Sequence, residues 1–201
     1  MKLYCATTNR GKLREFQKAL EDSEQVQVLP GLASIAPCEE TGATFEENAV
    51  QKALYYSKFC DGYLFVDDSG LEVEALNGAP GVYSARYAGE DATYGDNVTK
   101  LLGALAARPD GGGARRARFR TVALAAFPDG TEVWAEGTVE GSIAPAGRGG
   151  NGFGYDPVFV PDGVGGRTFA EMQADEKDAV SHRGRAFRAL AQLLSDPGDN
   201  P

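Results

Sequence analysis

Residues that bind zinc or form disulfides are scarce in this chain. Its 201 residues include one histidine and three cysteines, and Cys5, Cys38 and Cys60 lie far apart. A structural zinc site needs closely spaced cysteine and histidine ligands, so this composition excludes one. Scattered cysteines in odd number indicate free, buried thiols in a reducing compartment.

Long apolar segments and excess positive charge are also missing. No apolar run approaches the roughly 20 residues of a membrane-spanning helix. The start, MKLYCATT, lacks the apolar segment of a signal peptide. Twenty basic residues face 29 acidic ones, which gives a net charge of −9, whereas binding to a nucleic-acid backbone requires a basic face. We therefore expect a cytoplasmic protein that binds neither membranes nor nucleic acid.

The periodicity of apolar residues predicts an α/β fold. Short strand-like runs are mixed with helical patterns, and the turn signal at residues 128–130 separates two strand-like runs, which indicates a hairpin. A mixed sheet with flanking helices fits best. The length suits one domain with two lobes, which we place at residues 1–195. Residues 111–113 read as a surface loop, and residues 196–201 as a disordered tail.

Two adjacent acids follow an apolar run in the stretch FVDDSG, residues 65–70. We expect Asp67 and Asp68 to end a strand and Ser69-Gly70 to form the turn after it. One interpretation is a solvated turn, and the other is an acid directed at a metal or a water molecule. Sites are often built at strand ends. Hard oxygen ligands without a histidine or cysteine cluster favour Mg²⁺.

The stretch TTNRGK, residues 7–12, lies between a predicted strand and a predicted helix. Its hydroxyls, amide, backbone N–H groups and lysine are typical of a phosphate-binding turn at a helix N-terminus. The spacing of a Walker loop is absent, so an ordinary polar turn stays open as the alternative.

Three further places hold candidate residues. Lys52 falls in a helix that a capping box of Thr44 and Glu47 would start, where a lysine usually faces solvent. Residues 153–156, Phe-Gly-Tyr-Asp, offer a stacking face and a carboxylate for a purine, although core aromatics would read the same way. His182 and Arg183 fall in the first turn of the last predicted helix. No Ser/His/Asp or Cys/His set is supported by spacing.

Six blocks in order resemble one family. They are residues 7–15 (TTNRGKLRE), 44–49 (TFEENA), 67–70 (DDSG), 78–87 (GAPGVYSARY), 152–157 (GFGYDP) and 181–184 (SHRG). Together they resemble the pyrophosphatases of noncanonical purine nucleoside triphosphates, the inosine triphosphatase (Ham1-like) family. The resemblance spans residues 1–195.

The resemblance implies a fold and a reaction. The fold is a long mixed sheet flanked by helices, with two lobes around a deep nucleotide-binding cleft, as a homodimer. The reaction is Mg²⁺-dependent hydrolysis of XTP, dITP and ITP to the monophosphate and pyrophosphate, which removes deaminated purines from the nucleotide pool.

The resemblance also implies roles for individual residues. Asp68 would be the catalytic base and a metal ligand, with Glu40 as the second metal ligand. The substrate-binding residues would be Thr7, Thr8, Asn9, Arg10, Gly11, Lys12, Lys52, Ser69, Phe153, Gly154, Tyr155, Asp156, Lys177, His182 and Arg183. In this set, residues 7–12 hold the triphosphate and residues 153–156 with Lys177 hold the base. His182 and Arg183 read its oxo groups.

Two alternatives come from other classes. A phosphatase with an aspartyl nucleophile would have a strand followed by Asp-x-Asp, whereas this chain has Asp67-Asp68-Ser69. A nucleotide-binding module without catalysis would not need Asp68, Glu40 and Lys12 together. The product, phosphate or pyrophosphate or none, separates the three.

Overall fold

The computed structural model of the chain describes residues 3–20, 26–108 and 115–195. The glycine loop predicted at residues 111–113 and the tail predicted at residues 196–201 lie outside the described residues. In the described part, no helix is both long and apolar enough to cross a membrane.

The described residues form a sheet of six strands together with five α-helices. The strands are β1 Leu3–Cys5, β2 Val26–Val28, β3 Tyr63–Val73, β4 Arg116–Ala126, β5 Glu132–Ile143 and β6 Phe159–Pro161. The helices are α1 Arg10–Ala19, α2 Phe45–Tyr56, α3 Tyr94–Ala106, α4 Ala174–Val180 and α5 His182–Ser195. The predicted hairpin is present as β4 and β5, and Gly130 in its turn adopts φ +88°.

The sheet is mixed, which confirms the predicted fold class. Its strand order is β2-β1-β3-β4-β5-β6. Strand β1 pairs in parallel with both β2 and β3, so that Leu3 lies opposite Val26 on one side and Tyr63 on the other. Strand β6 pairs with β5 in antiparallel orientation. Parallel neighbours require crossover connections, which α1 and α2 supply.

The strand that carries the two acids is longer than the sequence predicts. Strand β3 continues through Asp67 and Asp68 to Val73, so the prediction that the acids end the strand and that Ser69-Gly70 forms a turn is wrong. Both aspartates are buried, as are Leu71 and Val73 beyond them. Charged residues inside a buried strand require partners, and these are described below.

Side-chain caps determine where two of the helices begin. Thr44 Oγ1 accepts a hydrogen bond from the Glu47 N–H at 3.1 Å. The Glu47 carboxylate accepts from the Ala43 N–H at 2.6 Å, one residue earlier than the predicted capping box places it. At α3, Thr93 and Asp96 form the complete reciprocal box.

Helix α4 was not predicted from the sequence. Its seven residues carry mostly polar side chains, and only Lys177 and Asp178 among them are buried. A short helix with so little apolar surface leaves no 3.6-residue hydrophobic period to detect. It begins with a capping box between Gln173 and Glu176.

The contacts divide the chain into two compact units. Of the described residues, the first comprises 3–20, 26–68, 121–137 and 182–195, and the second comprises 69–108, 115–120 and 138–181. Aromatic clusters lie in both cores: Phe16, Phe65 and Phe187 in the first, and Phe119, Phe159 and Phe169 in the second. The ring centroids of Phe16 and Phe65 are 3.5 Å apart, in a stacked arrangement. The assignment of one domain to residues 1–195 stays a prediction.

Gly137 lies where β5 meets the first turn of α5. A Cβ atom at this position would overlap the carbonyl oxygen of His182 and would lie 2.6 Å from the nitrogen of Ala186. Both are backbone atoms of α5, so the strand and the helix could not keep this spacing with any larger residue. Because Gly137 has no side chain, the backbone of residues 182–186 can pack directly against β5.

Substitution of Gly137 by alanine should destabilise the protein. Because the added methyl group meets backbone rather than a flexible side chain, we expect Gly137→Ala to lower the free energy of unfolding by about 2 to 3 kcal/mol. Gly103→Ala is the matched control, since this glycine lies in α3 with no heavy atom within 4 Å of the added Cβ. It should stabilise by about 1 kcal/mol. Urea unfolding of both variants checks the opposite signs.

Candidate active site

The turn between β1 and α1 is held by Asn9. Its Oδ1 accepts hydrogen bonds from the backbone N–H groups of Gly11 at 2.9 Å and Lys12 at 3.2 Å. Thr7 Oγ1 accepts from the Asn9 N–H at 3.2 Å. The backbone N–H groups of Gly11 and Lys12, which the sequence predicts to face a phosphate, thus already donate to the Asn9 side chain. What this turn presents instead is its hydroxyls and the Lys12 side chain, while Arg10 is exposed.

Lys12 is held by the first acid of the pair. Its Nζ donates to Asp67 Oδ2 at 2.8 Å, and the Asp67 side chain is almost fully buried while Lys12 keeps some exposure. Burial by itself raises the pKa of Asp67, but the charges of Lys12 and Lys52 outweigh it and hold the pKa below its ordinary value. Asp67 therefore stays ionised and anchors the lysine.

Lys52 is buried between the predicted metal ligands. Its Nζ lies 3.0 Å from Asp68 Oδ1, 3.1 Å from Glu40 Oε1 and 2.9 Å from the carbonyl oxygen of Asp67. The interpretation of Lys52 as part of a solvated face is wrong. Burial lowers the pKa of Lys52, but the charges of Asp68, Glu40 and Asp67 outweigh that effect and raise it. The ammonium group stays charged.

Asp68 is placed to act as a base. Burial raises the pKa of Asp68, and the negative charge of Glu40 raises it further, whereas the positive charge of Lys52 lowers it. The pKa of Asp68 therefore lies above its ordinary value. A carboxylate with a raised pKa accepts a proton more readily at neutral pH. Ser69, the next residue of β3, is half-buried.

Asn48 contacts Asp68 from α2, and sequence reasoning missed it. Its Nδ2 donates to Asp68 Oδ2 at 3.1 Å, and its Oδ1 accepts from the Gly42 N–H at 2.8 Å. Asn48 is fully buried. A signal was available, because asparagine is a poor helix former and this one falls four residues before Lys52, on the same helical face.

A pocket of about 240 Å³ brings most of these residues together. It is lined by Ala6, Thr7, Thr8, Lys12, Leu32, Ile35, Pro37, Cys38, Glu40, Lys52, Tyr56 and Asp67. All of them belong to the first unit. Two lysines and two threonine hydroxyls in one concavity are suited to an anion such as a phosphate chain.

The two predicted metal ligands, Glu40 and Asp68, lie on either side of the Lys52 ammonium group. Among the residues that the structure describes, no cluster of three or more His, Cys, Asp or Glu residues could hold a metal on its own. The Lys52 ammonium group contacts Glu40 and Asp68 at once and occupies the position between the two carboxylates. Mg²⁺ is typically bound by one or two carboxylates together with substrate phosphates. Glu40 and Asp68 are donors of that chemical type.

A second cluster lies in the second unit, around Lys177. Its Nζ donates to Asp156 Oδ2 at 2.6 Å and lies 4.8 Å from the centre of the Phe153 ring. Asp156 also accepts from the Phe153 N–H at 2.8 Å. Lys177 and Asp156 are both buried. The structure thus brings together an aromatic face, a cation and a carboxylate, with Gly154 at φ +63° in the turn between them.

Tyr155 differs from its neighbours in this cluster. It belongs to the apolar core of the second unit, and its hydroxyl donates to the carbonyl oxygen of Ser84 at 2.9 Å. Burial raises the pKa of its hydroxyl. The side chain of Tyr155 therefore packs in the hydrophobic core.

Helix α5 contributes the last two predicted residues. His182 is fully buried, and the Nε of Arg183 donates to the Glu15 carboxylate of α1, with both partners buried. Glu15 was missed by sequence reasoning, because 168 positions separate it from Arg183 and no local pattern marks such a pair. The pair ties α5 to the helix that carries Lys12.

Comparisons with known proteins give a consistent result. Residues 3–193 match the sequence profile of the Ham1 family. The dITP/XTP pyrophosphatase of Syntrophobacter fumaroxidans is 50% identical over 94% of this chain and 79% of its own length. The dITP/XTP pyrophosphatase of Bacillus cereus is 45% identical over 95% and 93%. A HAM1 protein structure from Coxiella burnetii matches with a TM-score of 0.86 and 41% identity, covering 98% of this chain and 99% of that one.

Removing the Glu15 charge should destabilise the fold. Glu15→Gln keeps the shape of the side chain but takes a carboxylate away from a buried guanidinium, so we expect a loss on the order of 3 kcal/mol in the free energy of unfolding. Asp162→Asn breaks the exposed ion pair with Arg116 and should leave the urea midpoint close to that of the parent chain. Equal midpoints for the two variants would contradict a structural role for the buried pair.

Proposed function

The chain belongs to the Ham1 family, and on that premise we propose that it is a pyrophosphatase of noncanonical purine nucleoside triphosphates. Its substrates are XTP, dITP and ITP, and its products are the nucleoside monophosphate and pyrophosphate. The observation that carries the proposal is that Lys52 contacts Asp68 and Glu40 at once, beside the pocket that Lys12, Lys52 and Glu40 line. The role is to remove deaminated purines from the nucleotide pool.

Binding of the triphosphate falls to the first unit. The substrate brings about four negative charges to a protein that is already acidic, so cations must offset the repulsion. Lys12 and Lys52 supply two of them, and the hydroxyls of Thr7 and Thr8 can donate to phosphate oxygens. Asn9, Arg10 and Gly11 complete the turn, in which Asn9 holds the shape rather than the ligand.

The residues that would hold Mg²⁺ are Asp68 and Glu40. When bound, Mg²⁺ draws charge from phosphoryl oxygens and lowers the pKa of a nearby water molecule. Asp68, with its raised pKa, takes the proton from the attacking water. Lys52 keeps the carboxylates of Asp68 and Glu40 directed at one point, which positions the base before the substrate arrives.

Recognition of the base falls to the cluster around Lys177. Phe153 offers a face for stacking, and Lys177 is a cation that suits the oxo group at position 6 of hypoxanthine or xanthine. Arg183 keeps the role of reading an oxo group that the family resemblance implies. Adenine presents an amino donor at that position, and a donor that meets a buried donor leaves both unsatisfied. Gly154, Asp156, Ser69 and His182 shape or border the bound nucleotide in this proposal.

Assembly and location belong to the same proposal. The six sequence blocks resemble a family of homodimers, and we propose a homodimer in the cytoplasm. The acidic net charge of −9 speaks against nucleic acid as a partner.

The products of one reaction test the function. Incubation of the protein with dITP, XTP or ITP and Mg²⁺ should release pyrophosphate and the monophosphate, resolved by anion-exchange chromatography. ATP and GTP under the same conditions should be turned over far more slowly, and removal of Mg²⁺ by a chelator should stop the reaction. Release of inorganic phosphate would favour the aspartyl phosphatase instead, and the absence of any product would favour a binding module.

Replacement of Asp68 by asparagine tests the base. The carboxamide keeps the shape but cannot take a proton, so we expect kcat to fall at least about 100-fold while circular dichroism spectra stay unchanged. Asp61→Asn is the matched control, because this exposed acid precedes the same strand without a place in the pocket. Near-normal turnover in Asp68→Asn would remove Asp68 from the catalytic role.

A further inference from the structure

We infer that Asn48 is a positioning residue that holds Asp68 and the loop carrying Glu40 in one fixed arrangement. The link to catalysis rests on the proposed function of Asp68 and Glu40. The geometry itself stands on contacts within the first unit, between α2, β3 and the loop before α2.

The amide of Asn48 is oriented by its two partners. The Gly42 N–H can only donate, so the atom of Asn48 that it contacts at 2.8 Å is the oxygen. The other atom is then the NH₂ group, which faces Asp68 Oδ2 at 3.1 Å. Asn48 has no exposed surface, so a flipped amide would leave an N–H facing an N–H with no water to satisfy either. The side chain therefore has one orientation.

Asp68 is held at both carboxylate oxygens by one face of α2. Oδ1 accepts from Lys52 at 3.0 Å, and Oδ2 accepts from Asn48 at 3.1 Å. The two donors are four residues apart, which places them on the same side of the helix. Rotation of the carboxylate would break one bond or the other. Lys52 compensates the charge of Asp68, whereas the neutral Asn48 only orients its carboxylate.

The loop is held by the opposite end of the same amide. Gly42 lies two residues after Glu40, and a Cβ at this position would come within 2.7 Å of Asn48 Oδ1. Only glycine permits this approach of the loop to α2. A second bond, from the Thr41 N–H to Gln51 Oε1 at 3.0 Å, holds the same loop without touching Asp68. Asn48, like Lys52, thus contacts both of the predicted metal-binding elements.

The test separates the two ends of the amide. Asn48→Asp keeps an oxygen for the Gly42 N–H but replaces the amide donor by a second carboxyl group, which repels Asp68 or shares a proton with it, whereas Asn48→Ala loses both bonds. Changes to residues that orient metal ligands typically reduce activity about 10- to 100-fold. We expect that loss in kcat for dITP hydrolysis in both variants, with KM changed by less than about threefold, because the affected step follows binding. Leu54→Ala, a change at an exposed position of the same helix, is the control and should keep kcat within about twofold.

A second measurement does not depend on activity. Hydrogen exchange of the Gly42 amide in the substrate-free protein should be slow in the parent chain and in Asn48→Asp. It should be faster by at least about tenfold in Asn48→Ala, where the bond is lost. An equally slow Gly42 amide in Asn48→Ala would overturn the inference. So would kcat values for both Asn48 variants that match Leu54→Ala.

Failure of the inference can be told from failure of the proposed function. If the parent chain releases pyrophosphate and Asp68→Asn does not, the function holds whatever the Asn48 variants do. If the parent chain releases no pyrophosphate, the proposed function fails. The Gly42 exchange rates then decide whether Asn48 holds the loop.

Discussion

The compensation of two buried carboxylates by two lysines is the constraint on which the rest of the first unit depends. Asp67 and Asp68 lie inside β3, where unpaired charges would be too costly to keep. Lys12 reaches Asp67 from α1, and Lys52 reaches Asp68 from α2. Because successive residues of a strand point to opposite faces, the two acids need two separate helices. The positions of α1 and α2 are thus linked to the placement of the two carboxylates of β3.

This compensation also places the charged groups of the site before any ligand binds. The four charged side chains that line the pocket, Lys12, Glu40, Lys52 and Asp67, already have partners, so a phosphate would meet groups that need little reorganisation. Preorganised charge in a water-poor pocket contributes more than the same charge in solvent. The second unit repeats the principle on a smaller scale, with Lys177 fixed by Asp156 beneath an aromatic ring.

Local patterns in the sequence were sufficient for much of the fold. Apolar periodicity and turn signals indicated α1, α2, α5 and the hairpin. What failed was everything that depends on partners remote in sequence. The extension of β3 requires lysines from two helices, and the pairing of Glu15 with Arg183 crosses almost the whole chain. In the candidate site, local sequence favoured a solvated face for Lys52 and did not mark Asn48, because only tertiary structure buries these two side chains.

Phe16, Phe65 and Phe187 pack together and connect α1, β3 and α5, the elements that carry Lys12, Asp67 and Arg183. Phe16 is one helical turn after Lys12, Phe187 is one turn after Arg183, and Phe65 is two residues before Asp67 on the same strand. The rings pack with centroids 3.5 to 5.2 Å apart. Transplanting the charged residues alone onto another scaffold would lose their relative placement, since the apolar rings beneath them set the spacing. A design that transfers this pocket to another protein would therefore have to include these three rings of the hydrophobic core.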